Sequence, residues 1–350
     1  MLKRSNLISC ALVVVLLLTS ISFALAQDAA PVVSPTLDRI NERGELICGA
    51  NANLPGFGVV NEAGEYAGFD VDICRAVAAA ILGDANAVTF RPLNASERQA
   101  AIQNGEVDMI ARNTTWTLSR DTTWGTTFAP TVFYDGQGFM VPTELGLTTI
   151  EELDGASICV QSGTTTELNL ADAMSGRGLE YTSQVFPDAP STWEGYLAGR
   201  CDAFTTDRSG LISYKATAED PGAHTILDIT ISKEPLAPLT PQADPAFSDI
   251  VSWTVYGLIQ AEEFGITSEN IDEFLESENP DIQRFLGVGD NASGSYLGID
   301  NQFMVNVIRQ VGNYGEIFDR NLGPDTVFGL ERGINALWTN GGLLYSPPFR

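Results

Sequence analysis

Three times along this chain a short apolar run breaks off into hydroxyl, amide or charged residues, and helical sequence follows. Residues 107–120 (VDMIARNTTWTLSR) start as a buried strand at Val107, Met109 and Ile110. They end in a loop with Asn113, Thr114, Thr115 and Thr117 ahead of Arg120. Residues 157–167 (SICVQSGTTTE) repeat the design, running into Gly163 and three threonines, and residues 201–207 (CDAFTTD) close on a carboxylate. Strands alternating with helices predict an α/β chain, and ligands of open α/β sheets sit outside the carboxyl ends of the strands. One cation, one anion and a set of hydroxyls and amides are thus offered where a small zwitterion would bind.

The 350 residues are enough for two lobes with separate cores. Lys3 and Arg4, the apolar run at 7–18 and Ala24-Leu25-Ala26 have the pattern of a secretory signal peptide cleaved after Ala26. No other long apolar stretch follows. A formal charge of -26 argues against a nucleic-acid partner, which requires a basic face. It says little about the sign of a small ligand. None of the three lysines follows a glycine, so there is no phosphate-binding P-loop, and HExxH and GxSxG are absent. A Ser-His-Asp triad would have to use the single histidine, His224. Carboxylate catalysis is left open by composition. The cysteine spacings match no common zinc pattern, and nothing in the sequence implies a metal or cofactor.

The run GFDVDICRAVA at 68–78, the threonine-rich loop ending in Arg120, SGTT at 162–165 and GRCDAFTTD at 199–207 resemble the polar amino-acid solute-binding proteins of ABC importers. The similarity is to the general L-amino-acid and glutamate/aspartate types, and it covers nearly the whole mature chain. It implies a two-lobed periplasmic-binding-protein fold (type II), each lobe a doubly wound, mostly parallel sheet, hinged by two crossing strands. Lobe 1 would comprise residues 27–137 and 236–350, with a C-terminal helical extension, and lobe 2 residues 138–235. It further implies a periplasmic monomer that binds L-amino acids and delivers them to the permease and ATPase subunits of an importer. An enzyme of the cyclohexadienyl dehydratase type on the same fold, or a ligand-sensing module, are the alternatives.

On this resemblance Arg120 meets the ligand α-carboxylate, for which a planar guanidinium fork is suited. Asp207 meets the ammonium, although aspartate at that point would also cap a helix. Thr115 and Asn113 supply hydroxyl and backbone contacts, and Thr164 and Thr165 stand at a helix start whose free amides attract carboxylates. Arg98 falls where glutamate/aspartate binders recognise a side chain, and its position in the first turn of a helix opposes the helix dipole. Asn51 and Leu54 replace the acid and aromatic of binders of basic amino acids. Glutamate, aspartate, glutamine and asparagine are therefore expected over lysine and arginine. Phe57, Trp116 and Tyr134 are candidate pocket walls, and Arg112 lies near the pocket. In an exported chain the even number of remaining cysteines reads as two disulfides. Bonds within lobes, Cys48–Cys74 and Cys159–Cys201, are preferred because a bond across lobes would lock the hinge.

Local patterns predict a helix capped by Asp70, a capping box at Ser96-Glu97-Arg98-Gln99, crossing segments at 128–141 and 233–241, an amphipathic helix at 247–264 and a helix over 301–319.

Overall fold

The structure, a computed structural model, describes residues 32–289 and 293–350; the expected signal peptide lies outside the described residues. Two five-stranded mixed sheets organise the α/β chain. The first takes β1 (Leu46–Ala50), β2 (Val88–Pro92), β3 (Met109–Ile110) and β4 (Thr126–Phe128). The chain leaves it through β5 (Phe133–Asp135). The second sheet holds β6 (Gln137–Pro142), β7 (Ala156–Gln161), β8 (Tyr181–Phe186), β9 (Ala203–Asp207) and β10 (His224–Ile226). The chain returns through β11 (Glu234–Leu236), and β12 (Leu239–Pro241) inserts antiparallel between β3 and β4. The orders are β2-β1-β3-β12-β4 and β8-β7-β9-β6-β10. In each, three parallel strands are joined by crossover helices; the antiparallel strand is the returning β12 in the first sheet and the entering β6 in the second.

The crossing itself is a two-stranded antiparallel ribbon. β5 pairs with β11, with Asp135 opposite Glu234 and Tyr134 opposite Pro235. Tyr134 and Pro235 form a pair whose own polar groups point outward, a position where a residue without an N–H fits. The side-chain amide of Asn335 fills them: Oδ1 accepts from Tyr134 N at 2.6 Å and Nδ2 donates to Tyr134 O at 3.0 Å. On the opposite edge, Trp116 N donates to Pro235 O at 2.8 Å. The C-terminal extension is thereby fixed to the crossing ribbon, and Tyr314 adds a hydrogen bond to Val132 O at 2.7 Å.

Helix α1 (Phe69–Leu82) packs on the first sheet with Ile73, Val77 and Ala80 buried. Cys74 is bonded to Cys48 of β1, and Cys159 of β7 to Cys201 ahead of β9, with Cα separations of 6.2 and 5.6 Å. Loops of 26 and 42 residues give each bond about 3–4 kcal/mol in the chain-entropy treatment. The expected helix over 301–319 is two helices, Phe303–Val311 and Tyr314–Asn321. Gly312 breaks it at φ 87°, and Asn313 restarts it by a capping box with Glu316. Phe57 is fully buried against Phe69 and Phe133, so it belongs to the core and not to a pocket wall.

Asn335→Ala removes both bonds to Tyr134 and leaves that edge bare. A loss of about 1–3 kcal/mol in denaturation free energy is expected. An unchanged denaturant midpoint would show that the extension does not brace the crossing.

Candidate functional site

The carboxyl ends of β1, β3, β7 and β9 converge on a polar cluster. The loop after β3 is shaped by an aspartate that the sequence reading placed elsewhere. Asp70 was expected to cap α1, but the cap position is Gly68, at φ 138°, where a Cβ would lie 2.3 Å from Phe57 O. Asp70 points into the cluster, and its Oδ2 accepts from Asn113 N at 2.8 Å. That bond holds Asn113 at φ 34°, a region non-glycine residues seldom occupy. The Asn113 Oδ1 in turn accepts from Asn51 Nδ2 at 3.3 Å and from Arg112 Nη1 at 3.4 Å. The loop is stitched to the returning crossing as well, since Ala237 N donates to Thr114 O at 3.0 Å.

Three arginines are buried around this loop, and each is fastened by a main-chain carbonyl. Arg98 Nε donates to Ala95 O, Arg112 Nε to Leu93 O and Arg120 Nη1 to Thr115 O, all at 3.0 Å. Arg98 also donates to Thr114 Oγ1 at 3.1 Å. Arg98 and Arg120 both lie over the Trp124 ring, at 5.8 and 5.1 Å. Among the described residues no ion pair within 4.0 Å joins any of the three to a carboxylate. Burial lowers all three from the ordinary arginine value, Arg98 far below it and Arg112 to about 10. Their mutual repulsion adds to this for Arg98 and Arg112.

The helix that carries Arg98 starts differently from expectation. The reciprocal cap joins Asn94 and Glu97, with Glu97 Oε2 accepting from Asn94 N at 2.8 Å and Asn94 Oδ1 from Glu97 N at 3.1 Å. The box predicted at Ser96-Glu97-Arg98-Gln99 therefore sits two residues earlier. Arg98 begins the helix Arg98–Gln103 and turns inward, 2 % exposed.

Asp207 ends β9 and precedes the helix Arg208–Ala216, but its carboxylate makes no cap hydrogen bond. Burial, then Asp135 and Glu234, raise it well above the ordinary carboxylate range, while Arg120 and Arg98 pull it back. The SGTT segment is used largely for construction. Thr164 caps the helix Thr165–Arg177, accepting from Glu167 N at 3.1 Å and donating to Gln161 O at 2.7 Å. Thr165 Oγ1 donates to Glu234 Oε2 at 2.8 Å and lies 3.3 Å from Thr115 Oγ1. The Thr165 proton is spent on Glu234, so Thr115 is the donor to Thr165. The amides of Thr165 and Thr166, first in that helix, have no carbonyl partner within it.

A cavity of about 30 Å³ is lined by Asn51, Arg112, Asn113, Gln161, Asp207 and Tyr214, among others. Arg98, Arg120, Thr115, Thr164 and Thr165 flank the cluster without lining that cavity. Gln161 was not singled out from sequence, although it sits inside the second motif. Its Nε2 is buried with no hydrogen-bond partner, and the residue lines the cavity. Tyr214 and Thr192 were likewise missed, because nothing local to their sequence distinguishes them from core residues. Trp116 is 41 % exposed and stacks on Phe128, away from the lining. Tyr134 is held in the crossing ribbon. Among the described residues no group of three His, Cys, Asp or Glu side chains could hold a metal ion.

Residues 46–281 match the family of bacterial extracellular solute-binding proteins, family 3. The chain belongs to that family. It is 51% identical over 327 residues to the general L-amino acid-binding periplasmic protein AapJ of Rhizobium johnstonii, covering 93% of this chain and 96% of that one. It is 48% identical to the glutamate/glutamine/aspartate/asparagine-binding protein BztA of Rhodobacter capsulatus, covering 94% and 98%. A solved ABC-transporter periplasmic binding protein from Brucella ovis with glutathione bound superposes with a TM-score of 0.88 at 49% identity, over 90% of this chain and 99% of that one. These relatives are binding proteins.

Burial pushes Asp70 up to about 7 and Asp135, in the crossing ribbon, up to about 6, from an ordinary value of 3.8. Both acids hold protons more tightly folded than unfolded. Their stabilising contribution is complete below 3.8 and is lost as pH rises through about 6 and about 7. The ligand-free protein should therefore lose denaturation free energy across that window, and Asp70→Asn should flatten the decline. Parallel wild-type and mutant profiles, from denaturant titrations at each pH, would contradict the role given to Asp70.

Proposed function

We propose that this chain binds L-amino acids in the periplasm and hands them to the membrane permease and ATPase of an ABC importer. The lobes 27–137 with 236–350 and 138–235 close over the ligand by a hinge motion at the crossing ribbon. The observation that carries the reading is the unpaired state of Arg120 and Asp207. A buried guanidinium and a buried carboxyl group on different lobes have no ion-pair partner within 4.0 Å among the described residues. Ionisable groups held that way call for a ligand that pairs with their charged forms, because burial without pairing is costly. An α-carboxylate suits Arg120 and the amides of Thr165 and Thr166, and an α-ammonium suits Asp207. Thr115, Asn113, Thr164 and Thr165 hold the walls. The AapJ and BztA likeness over almost the whole chain supports amino acids as the class. The glutathione of the Brucella ovis relative carries the same α-amino-acid head on its γ-glutamyl group.

Past the head group, Arg98, Arg112, Asn51 and Gln161 present mostly donors. Oxygen-ended side chains are accordingly favoured: glutamate, glutamine, aspartate and asparagine over lysine and arginine. The chain acts as a monomer and as a binder. Ligand incubated with it should be recovered unchanged, and any product would bring the enzyme reading back.

A thermal-shift screen of the twenty amino acids should give its largest shifts with those four. Arg120→Ala and Asp207→Ala should each cost about 2–5 kcal/mol of binding by calorimetry, since the ligand charge left behind is buried and unpaired. Near-normal affinity in either folded mutant would sink the clamp. Arg98→Ala should weaken glutamate much more than alanine, whereas equal losses would remove Arg98 as the selectivity residue.

A further inference from the structure

Glycines inside helices need a reason, and packing supplies it at Gly195 and Gly257. A Cβ at Gly195 would lie 2.4 Å from Phe186, and one at Gly257 would lie 2.3 Å from Met304 Sδ. Gly210 differs. It is the third residue of the helix Arg208–Ala216, its φ is not positive, and alanine is the better helix former there. A Cβ at Gly210 would meet nothing nearer than Thr206 Cγ2, at 3.3 Å, and then Leu54 Cδ1, at 3.9 Å. Thr206 is half-buried, so its methyl has room to give the small shift that an alanine requires. Neither the backbone nor the packing demands glycine at this position.

The missing methyl leaves open a part of the candidate site. Gly210, Thr206 and Leu54 all line the inner cavity. Thr206 and Gly210 come from β9 and the helix after it, whereas Leu54 follows β1 of the first sheet. A methyl on Gly210 would therefore stand where the two halves of the site face each other. The carbon surface of the lining comes from Leu54, Ala189, Phe204 and the bare Cα of Gly210. An amino acid held at its head by charges and at its side-chain oxygen by donors has only methylene carbons left to place against carbon. The cavity measures about 30 Å³, the liquid-volume share of one water, so a single added carbon is a large part of it.

We infer that Gly210 is a specificity-determining residue: its missing side chain makes room, opposite Leu54, for the additional methylene of glutamate and glutamine. This rests on the amino-acid reading above. The helix forgoes the better helix former at this turn, and the site gains ligand length. With alanine at this position, asparagine and aspartate still fit, because the carbon added to the wall takes the place of the one their side chains lack.

The test is calorimetry on the full mature protein, wild type and Gly210→Ala, with L-glutamine and L-asparagine as probes. Gly210→Ala should weaken glutamine by about tenfold or more and leave asparagine within about threefold. The ligand-free variant should melt at or above the wild-type temperature, since alanine favours the helix. A loss no larger for glutamine than for asparagine overturns the inference, because the methyl then acts on closure or on the head group. Unchanged glutamine affinity overturns it too, as does a wild type that rejects glutamine while binding other amino acids. A lowered melting temperature gives the glycine a structural reason and removes the premise. If the wild type binds neither probe and no other amino acid, the amino-acid reading fails and this inference falls with it.

Discussion

Three guanidinium groups buried within one cluster would ordinarily be bridged by acids, and here they are not. Arg98, Arg112 and Arg120 are each anchored by a main-chain carbonyl, of Ala95, Leu93 and Thr115. A carbonyl fixes the direction of a guanidinium without neutralising it. A carboxylate would do both, and would then compete with any anionic ligand. Strand-end geometry supplies these carbonyls, because the loops that follow β2 and β3 turn their main chain inward at the rim of the sheet. The arrangement keeps the cations desolvated and oriented, with part of each planar fork uncommitted. Preorganisation of that kind removes the ordering cost that a flexible surface arginine would incur on binding.

The loop and the crossing ribbon form one mechanical unit. Thr114 O and Trp116 N are bonded to the returning strand, and Thr165 of the second lobe reaches Glu234 in that same strand. Glu234 also accepts from Ser232 and Asn169, so its carboxylate is tied by three side chains of residues 138–235. Thr165 thus touches both Thr115 of the first lobe and Glu234 of the crossing ribbon. This explains why threonines that look like ligand contacts in sequence spend their hydroxyls on the protein. Their backbone amides at the helix start stay free for an anion.

The α/β alternation was legible because each strand is short, apolar and punctuated by a polar cluster. The ends of β3 and β9 fall where the motifs at 107–120 and 201–207 place them. Arg120, Asp207 and Asn113 stand out in sequence because they occupy those ends. What was not legible depends on tertiary contact. Asp70 sits in a run that reads as a helix start, and only the fold shows its carboxylate gripping Asn113 N. Gln161 is one residue from a recognisable SGTT, yet its unpaired amide is a property of the packed cavity. The break at Gly312 was hidden because the apolar spacing continues on both sides of it, and only the following Asn313–Glu316 pair marks a new start.

A two-stranded ribbon is exposed to a hazard that larger sheets share only at their margins. Unfilled strand edges recruit other strands. Here Asn335 occupies the outward groups of Tyr134, and Trp116 occupies the carbonyl of Pro235. Both plugs come from outside the second sheet. The C-terminal extension thus covers an edge that could otherwise pair with a strand of a neighbouring molecule.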